Sequence, residues 1–121
     1  MVTLKLSKPW FIENSNIPVY LSLISPIEIG AITLGPFAVS RGEMSETTRN
    51  HETIHWQQYI DTGIIGFPIL YFFYWLRGLI KYRDGGMAYM MIPFEQEAYE
   101  NDDHAFYLLN RKRWNWFWRK I

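Results

Sequence analysis

Residues 51–55 of this chain read HETIH, two histidines four positions apart with a glutamate directly after the first. On an α-helix that spacing puts both imidazoles on one face, one turn apart, where they can reach a single cation. Glu52 projects beside the same cation without filling a coordination position, and a carboxylate placed there can take a proton from bound water. Average residue usage makes a chance match in a chain this short a matter of roughly one in a few hundred. Histidine is also scarce: the chain has three, and two lie in this motif. The plain alternative is a surface helix carrying two unrelated histidines.

Two histidines leave a catalytic zinc site one protein ligand short, since the usual arrangement is three ligands and an open water position. The chain has no cysteine, which excludes disulfides, thiolate zinc sites and cysteine nucleophiles. A third ligand must offer nitrogen or oxygen, and the downstream candidates are Glu95, Glu97, Glu100, Asp102, Asp103 and His104. A ligand from a second helix packed against the first wants a small residue one turn on. Glu95 has Ala98 there, whereas Glu97 has Glu100. Glu95 therefore leads, followed by Glu97, then His104 or an aspartate. Read alone, these carboxylates would be a solvated first helical turn, where the helix dipole favours them.

The elements that must position these groups follow from the local patterns. Ser45 suits the N-cap of a helix running from Glu46 to about Thr62, with Gly63 as its C-terminal stop. Its apolar positions form no clean stripe, as expected of a helix burying a polar face too. Gly63 to Leu76 is fourteen residues without a charge, short of the roughly 20 a membrane span needs. It reads as a buried second helix starting near Pro68, with an interfacial helix and then a true span as the alternatives. Lys81 to Gly86 is a turn. A third helix starts near Pro93 and continues through Phe94, Ala98, Ala105, Leu108 and Leu109 toward Lys112. Upstream, Val2 to Leu6, Val19 to Ile24 and Ile27 to Val39 read as short strands, with bends at Gly30, Gly35 and Pro36. The expected class is α+β: a small N-terminal antiparallel sheet followed by about three helices, with HETIH on the first.

The bulk numbers set the frame. One domain spans all 121 residues, and twelve basic against twelve acidic side chains give no global reason to bind nucleic acid. The opening lacks an uninterrupted apolar segment with a small-residue cleavage site, so the expected location is cytoplasmic. Aromatic residues crowd the second half, and the tail RKRWNWFWRKI interleaves cations with three tryptophans. Such a tail suits either a lipid headgroup layer or the protein core.

HETIH followed some forty residues later by FEQEAY resembles the gluzincin pattern, in which HExxH is completed by a glutamate in an ExxAD-type helix. The resemblance implies zinc held by His51, His55 and Glu95. The pattern's aspartate is replaced by Tyr99, so support for the histidines must come from elsewhere, with Asn101, Asp102 and Asp103 as candidates. A closer likeness is to a family of small uncharacterised bacterial and phage proteins. These share an ITLFPF-like strand, an HExxH-x-x-Q helix, an aromatic helix, an F-E-x-E-A-Y helix and a basic, tryptophan-containing tail. Here the counterparts are ITLGPF (32–37), HETIHWQQ (51–58), Phe67 to Trp75, FEQEAY (94–99) and RKRWNWFW (111–118), spread over residues 27 to 118. The implied fold is a minimal zincin-like domain of minigluzincin size.

The resemblance implies a zinc-dependent metallopeptidase with Zn²⁺ as cofactor and a peptide or protein as substrate. Glu52 would be the base, with Tyr89, Tyr99 and His104 as unranked donors to the oxyanion. The strand Ile32 to Val39 would align an extended peptide. The rival class is a non-catalytic metal-binding or membrane-interface scaffold, whose aromatic helix and tryptophan-rich C-terminus make a peripheral membrane contact.

Overall fold

Gly35 and Pro36 interrupt the β-branched run of the first half, and the chain reverses there. Gly35 has φ +59°, which suits the first central position of a type II′ hairpin turn, and Pro36 follows with its fixed negative φ. The flanking strands, β2 (Ala31–Leu34) and β3 (Phe37–Ser40), pair antiparallel with Leu34 opposite Phe37 and Ala31 opposite Ser40. The expected single strand from Ile32 to Val39 is thus a hairpin. β1 (Trp10–Ile12) pairs parallel with the other edge of β3, giving the order β1–β3–β2. The sheet is mixed rather than antiparallel, because a helical crossover follows β1 instead of a tight turn.

That crossover contains α1 (Ile17–Leu23), which replaces the strand expected over Val19 to Ile24. Pro18 suits a first helical turn, and Ser15 Oγ accepts from the Ile17 amide at 3.1 Å, so terminal chemistry overrides β-propensity. The architecture is that of a computed structural model describing residues 8–23, 29–104, 106–119 and 121. The expected strand Val2 to Leu6 and the core position Ala105 lie outside the described residues. Among those described, the fold is α+β with three strands and six helices, so the HETIH helix is the second rather than the first.

α2 (Glu46–Asp61) begins where its cap demands: Ser45 Oγ accepts from the Thr48 amide at 3.1 Å. It ends at Thr62, followed by Gly63 at φ +73°. α2 packs against the later helix Pro93–Asn101 on one side and β2 on another, burying His51, Glu52, His55, Gln57, Gln58 and Asp61. Such wide burial of polar groups explains the missing apolar stripe. α3 (Gly66–Tyr82) starts two residues before Pro68 and meets α2 at 108°. Among the described residues no single helix is long and apolar enough to cross a membrane.

Arg83, at φ +54°, closes α3, and Asp84 immediately caps α4 (Gly85–Met90) by accepting from the Met87 amide at 2.8 Å. The expected turn therefore shrinks to two residues. α3 and α4 touch closely: a Cβ on Gly78 would lie 3.0 Å from the Ala88 Cα. α5 (Pro93–Asn101) starts at its proline but stops well before Lys112. The Asn101 side chain returns to the Glu97 carbonyl at 2.8 Å, and Asn50 Nδ2 donates to the Asp102 carbonyl at 3.1 Å. Among the described residues only the short α6 (Tyr107–Asn110) follows, with Leu108 half-buried and Leu109 exposed.

The core is aromatic. Tyr59 stacks on Phe67 at 4.1 Å, Phe67 meets Phe94 at 4.5 Å, and Phe94 meets Trp116 at 4.6 Å. These contacts pin α2, α3, α5 and the tail together, and truncating a ring such as Phe94 would cost about 3–5 kcal/mol. The tail divides its tryptophans: Trp116 is buried in this cluster while Trp114 and Trp118 stay exposed.

Candidate metal centre

The i, i+4 spacing on α2 brings His51 and His55 together, with their Nε2 atoms 3.2 Å apart. α5 delivers Glu95 from its first turn, and Oε1 lies 3.1 Å from His51 Nε2 and 3.2 Å from His55 Nε2. All three residues are buried. Three atoms able to offer lone pairs therefore form a nearly equilateral triangle. In a tetrahedral zinc site with bonds of about 2.0–2.1 Å, neighbouring ligand atoms are about 3.3 Å apart, so the donor set fits such an ion.

The far side of each candidate ligand is already committed. His51 Nδ1 lies 3.1 Å from Asp102 Oδ2, and His55 Nδ1 lies 2.7 Å from Gln58 Oε1. Acceptors at both Nδ1 positions favour the tautomer whose Nε2 lone pair faces the triangle. The Gln58 orientation is enforced in turn, because its Nε2 donates to the Phe94 carbonyl and to Glu97 Oε1, both at 3.0 Å. Glu95 is held similarly: Tyr71 OH donates to Oε2 at 2.7 Å, leaving Oε1 for the histidines, with Tyr89 OH at 3.3 Å from Oε1.

Electrostatics agree with a site that wants positive charge. Burial alone would lower the His55 pKa, but the Glu95 carboxylate outweighs it with help from Glu52 and Gln58, raising the imidazole to about 9. Burial would raise Glu95, yet the two histidines hold it well below the usual carboxylate range. Burial, then the Glu95 charge, push the Tyr71 and Tyr89 phenols up, so both remain donors.

Glu97 is elsewhere. Arg111 donates to it from Nε at 2.6 Å, and Tyr107 OH donates at 2.6 Å. Arg111 also reaches Asp61 at 2.7 Å, forming a fully buried network that ties the tail to α2 and α5. Burial pulls the Arg111 pKa down, but Glu97 and Asp61 more than reverse it. His104 is exposed, with Asp103 at 3.8 Å, and stands outside the triangle. Glu100 pairs with Arg119. Of the three suggested support residues, Asp102 reaches a histidine, Asn101 bonds backbone, and Asp103 is exposed.

Glu52 is buried beside the ligand pair, with the Thr33 hydroxyl 2.9 Å from its Oε1. A cleft of about 990 Å³ opens over the site. Ala31 to Leu34 of β2, the edge strand, line one wall, and Phe67, Tyr71, Phe72 and Trp75 of α3 line another. Tyr89 and Tyr99 also line it, joined by a 2.7 Å hydrogen bond between their hydroxyls. Sequence reasoning missed Tyr71 and Gln58 as supports. Gln58 was findable, three residues beyond His55 on one helix face; Tyr71 was hidden among core-like aromatics. No protein-family model, curated protein or solved structure matches this chain.

Proposed function

We propose that this chain is a minimal zincin-like, metal-dependent peptide hydrolase, with His51, His55 and Glu95 as ligands and Glu52 as the general base. The observation that carries the reading is the triangle of His51 Nε2, His55 Nε2 and Glu95 Oε1, each 3.1–3.2 Å from the others. A bound divalent cation such as Zn²⁺ would lower the pKa of a water toward neutrality and polarise a substrate carbonyl. Cobalt, nickel or iron would also accept this donor set.

The chain's own groups supply the rest. Asp102 and Gln58 orient the imidazoles, and Tyr71 holds one Glu95 oxygen so that the other faces them. Thr33 fixes the Glu52 carboxylate from β2, leaving Oε2 to receive a proton from attacking water and pass it to the leaving amine. Tyr89 and Tyr99 stand at the cleft, and one of their hydroxyls would turn from its bond to the other or to Glu95 to donate to a developing oxyanion. Among the described residues β2 is an edge strand along the cleft, with its Thr33 carbonyl accepting from Tyr59 OH at 3.1 Å, and an extended peptide would add beside it as a further strand. That arrangement supports a peptide over a compact small molecule.

The test has two parts. Zinc should bind at about one ion per chain and be lost in His51→Ala; a chain that takes up no metal when supplied with it ends the reading. Glu52→Gln should keep the metal while peptide hydrolysis falls by about 10²–10⁴-fold. Unchanged hydrolysis would remove Glu52 from its role.

A further inference from the structure

α3 is apolar on both sides, and among the described residues only one side is covered by protein. Phe67, Tyr71, Tyr74 and Gly78 face the core and α4. Ile65 at its N-terminus, then Ile69, Phe72, Phe73, Leu76 and Ile80, are 38 to 72 % exposed. At 3.6 residues per turn these six positions fall within about 100° of the helix circumference, a continuous stripe about 23 Å long. Scattered surface hydrophobics are ordinary, whereas a stripe of this extent marks a contact face.

The charges around the stripe indicate what covers it. The chain as a whole is balanced, yet between Asp61 and Asp84 it carries Arg77, Lys81 and Arg83 and no acidic residue. Arg77 falls about 40° beyond the stripe and Lys81 about 80° beyond it on the same flank, where Lys81 Nζ also bonds the Ile121 carbonyl at 2.9 Å. The tail thus ends beside the same flank, and no acidic residue follows Asp103. A second copy laid stripe to stripe would find no acid on α3 to meet these cations. An anionic lipid surface meets both demands: acyl chains accept the isoleucines and phenylalanines while headgroups take Arg77 and Lys81. On the opposite flank the stripe runs into the cleft, since Phe72 belongs to both.

We infer that α3 is an interfacial membrane-docking helix, seating the chain on anionic bilayers through Ile65, Ile69, Phe73 and Ile80, with the cleft mouth beside the membrane plane. Docking of this kind holds whether or not the cleft hydrolyses peptides. The test is co-sedimentation of the full chain with unilamellar vesicles, either pure phosphatidylcholine or phosphatidylcholine with about a third phosphatidylserine. Anionic vesicles should bind the chain more tightly. The triple variant Ile69→Ser, Phe73→Ser, Ile80→Ser should lose at least about tenfold in vesicle affinity while keeping the circular dichroism of the parent. Arg77→Gln with Lys81→Gln should abolish most of the preference for anionic over neutral vesicles. No vesicle binding by the parent, or binding unchanged in the triple variant, would overturn the inference. A concentration-dependent dimer that the triple variant dissociates, with no vesicle binding, would assign the stripe to a second copy instead.

Discussion

Asp102→Asn tests whether the carboxylate behind His51 serves the proposed ion or only the fold. Asp102 Oδ2 lies 3.1 Å from His51 Nδ1, and the Asp102 side chain retains 13 % exposure. Removing such an outer partner typically lowers metal affinity about 10–100-fold, or about 1.4–2.7 kcal/mol. Asparagine keeps the shape and an acceptor oxygen but loses the charge, and its amide can rotate to present NH₂ to the ring. The expected loss is therefore near the lower bound, about tenfold, with Asp102→Ala nearer a hundredfold. Competition against a chromogenic zinc chelator measures it, and thermal unfolding of the metal-stripped protein supplies the control. The backbone bond from Asn50 to the Asp102 carbonyl survives both substitutions, so the metal-stripped melting temperature should shift little. Parental zinc affinity in both variants would refute the reasoning. So would an affinity loss matched by an equal loss of stability in the stripped protein.

Zinc affinity should also depend on pH, because an ion must displace the proton that Glu95 helps to hold on His55. With that imidazole raised from 6.5 to about 9 in the metal-free protein, affinity should climb about tenfold per pH unit from neutrality and flatten above pH 9. The same shift stabilises the metal-free chain: its contribution is complete below pH 6.5 and disappears as pH rises through 9, which unfolding at pH 6, 8 and 10 would register. Arg111→Met should destabilise the fold by about 3–5 kcal/mol in denaturant titration, since Glu97 and Asp61 would stay buried without their shared cation. Gly78→Ala should cost about 1–3 kcal/mol by the same assay, because its methyl would meet the Ala88 backbone at the α3–α4 crossing.

Much of the candidate site could be read before any coordinates, because its central signals are local. HETIH places two imidazoles on one helix face through backbone periodicity alone, and Ser45 and Gly63 mark where that helix begins and ends. Pro93 marks the start of the helix carrying Glu95, and Gly35–Pro36 marks the chain reversal. The boundary errors share a cause: α1 and the early stop of α5 depend on short-range side-chain bonds that composition obscures.

Contacts between distant segments belong to the three-dimensional arrangement alone. Glu95 and Glu97 are two residues apart and so fall on different faces of α5; Ala98, one turn beyond Glu95, ranks that face first, but local pattern alone does not settle which face meets the histidines. That was decided when buried Arg111, from the tail, took Glu97 toward Asp61 and left Glu95 to the histidines. Tyr71 looked like one more core aromatic until the crossing of α3 aimed its hydroxyl at Glu95. Trp114, Trp116 and Trp118 are indistinguishable by type, and only packing sends the middle one into the core. Periodicity fixes directions around one helix axis, whereas partners across a fold depend on how several axes are set against one another.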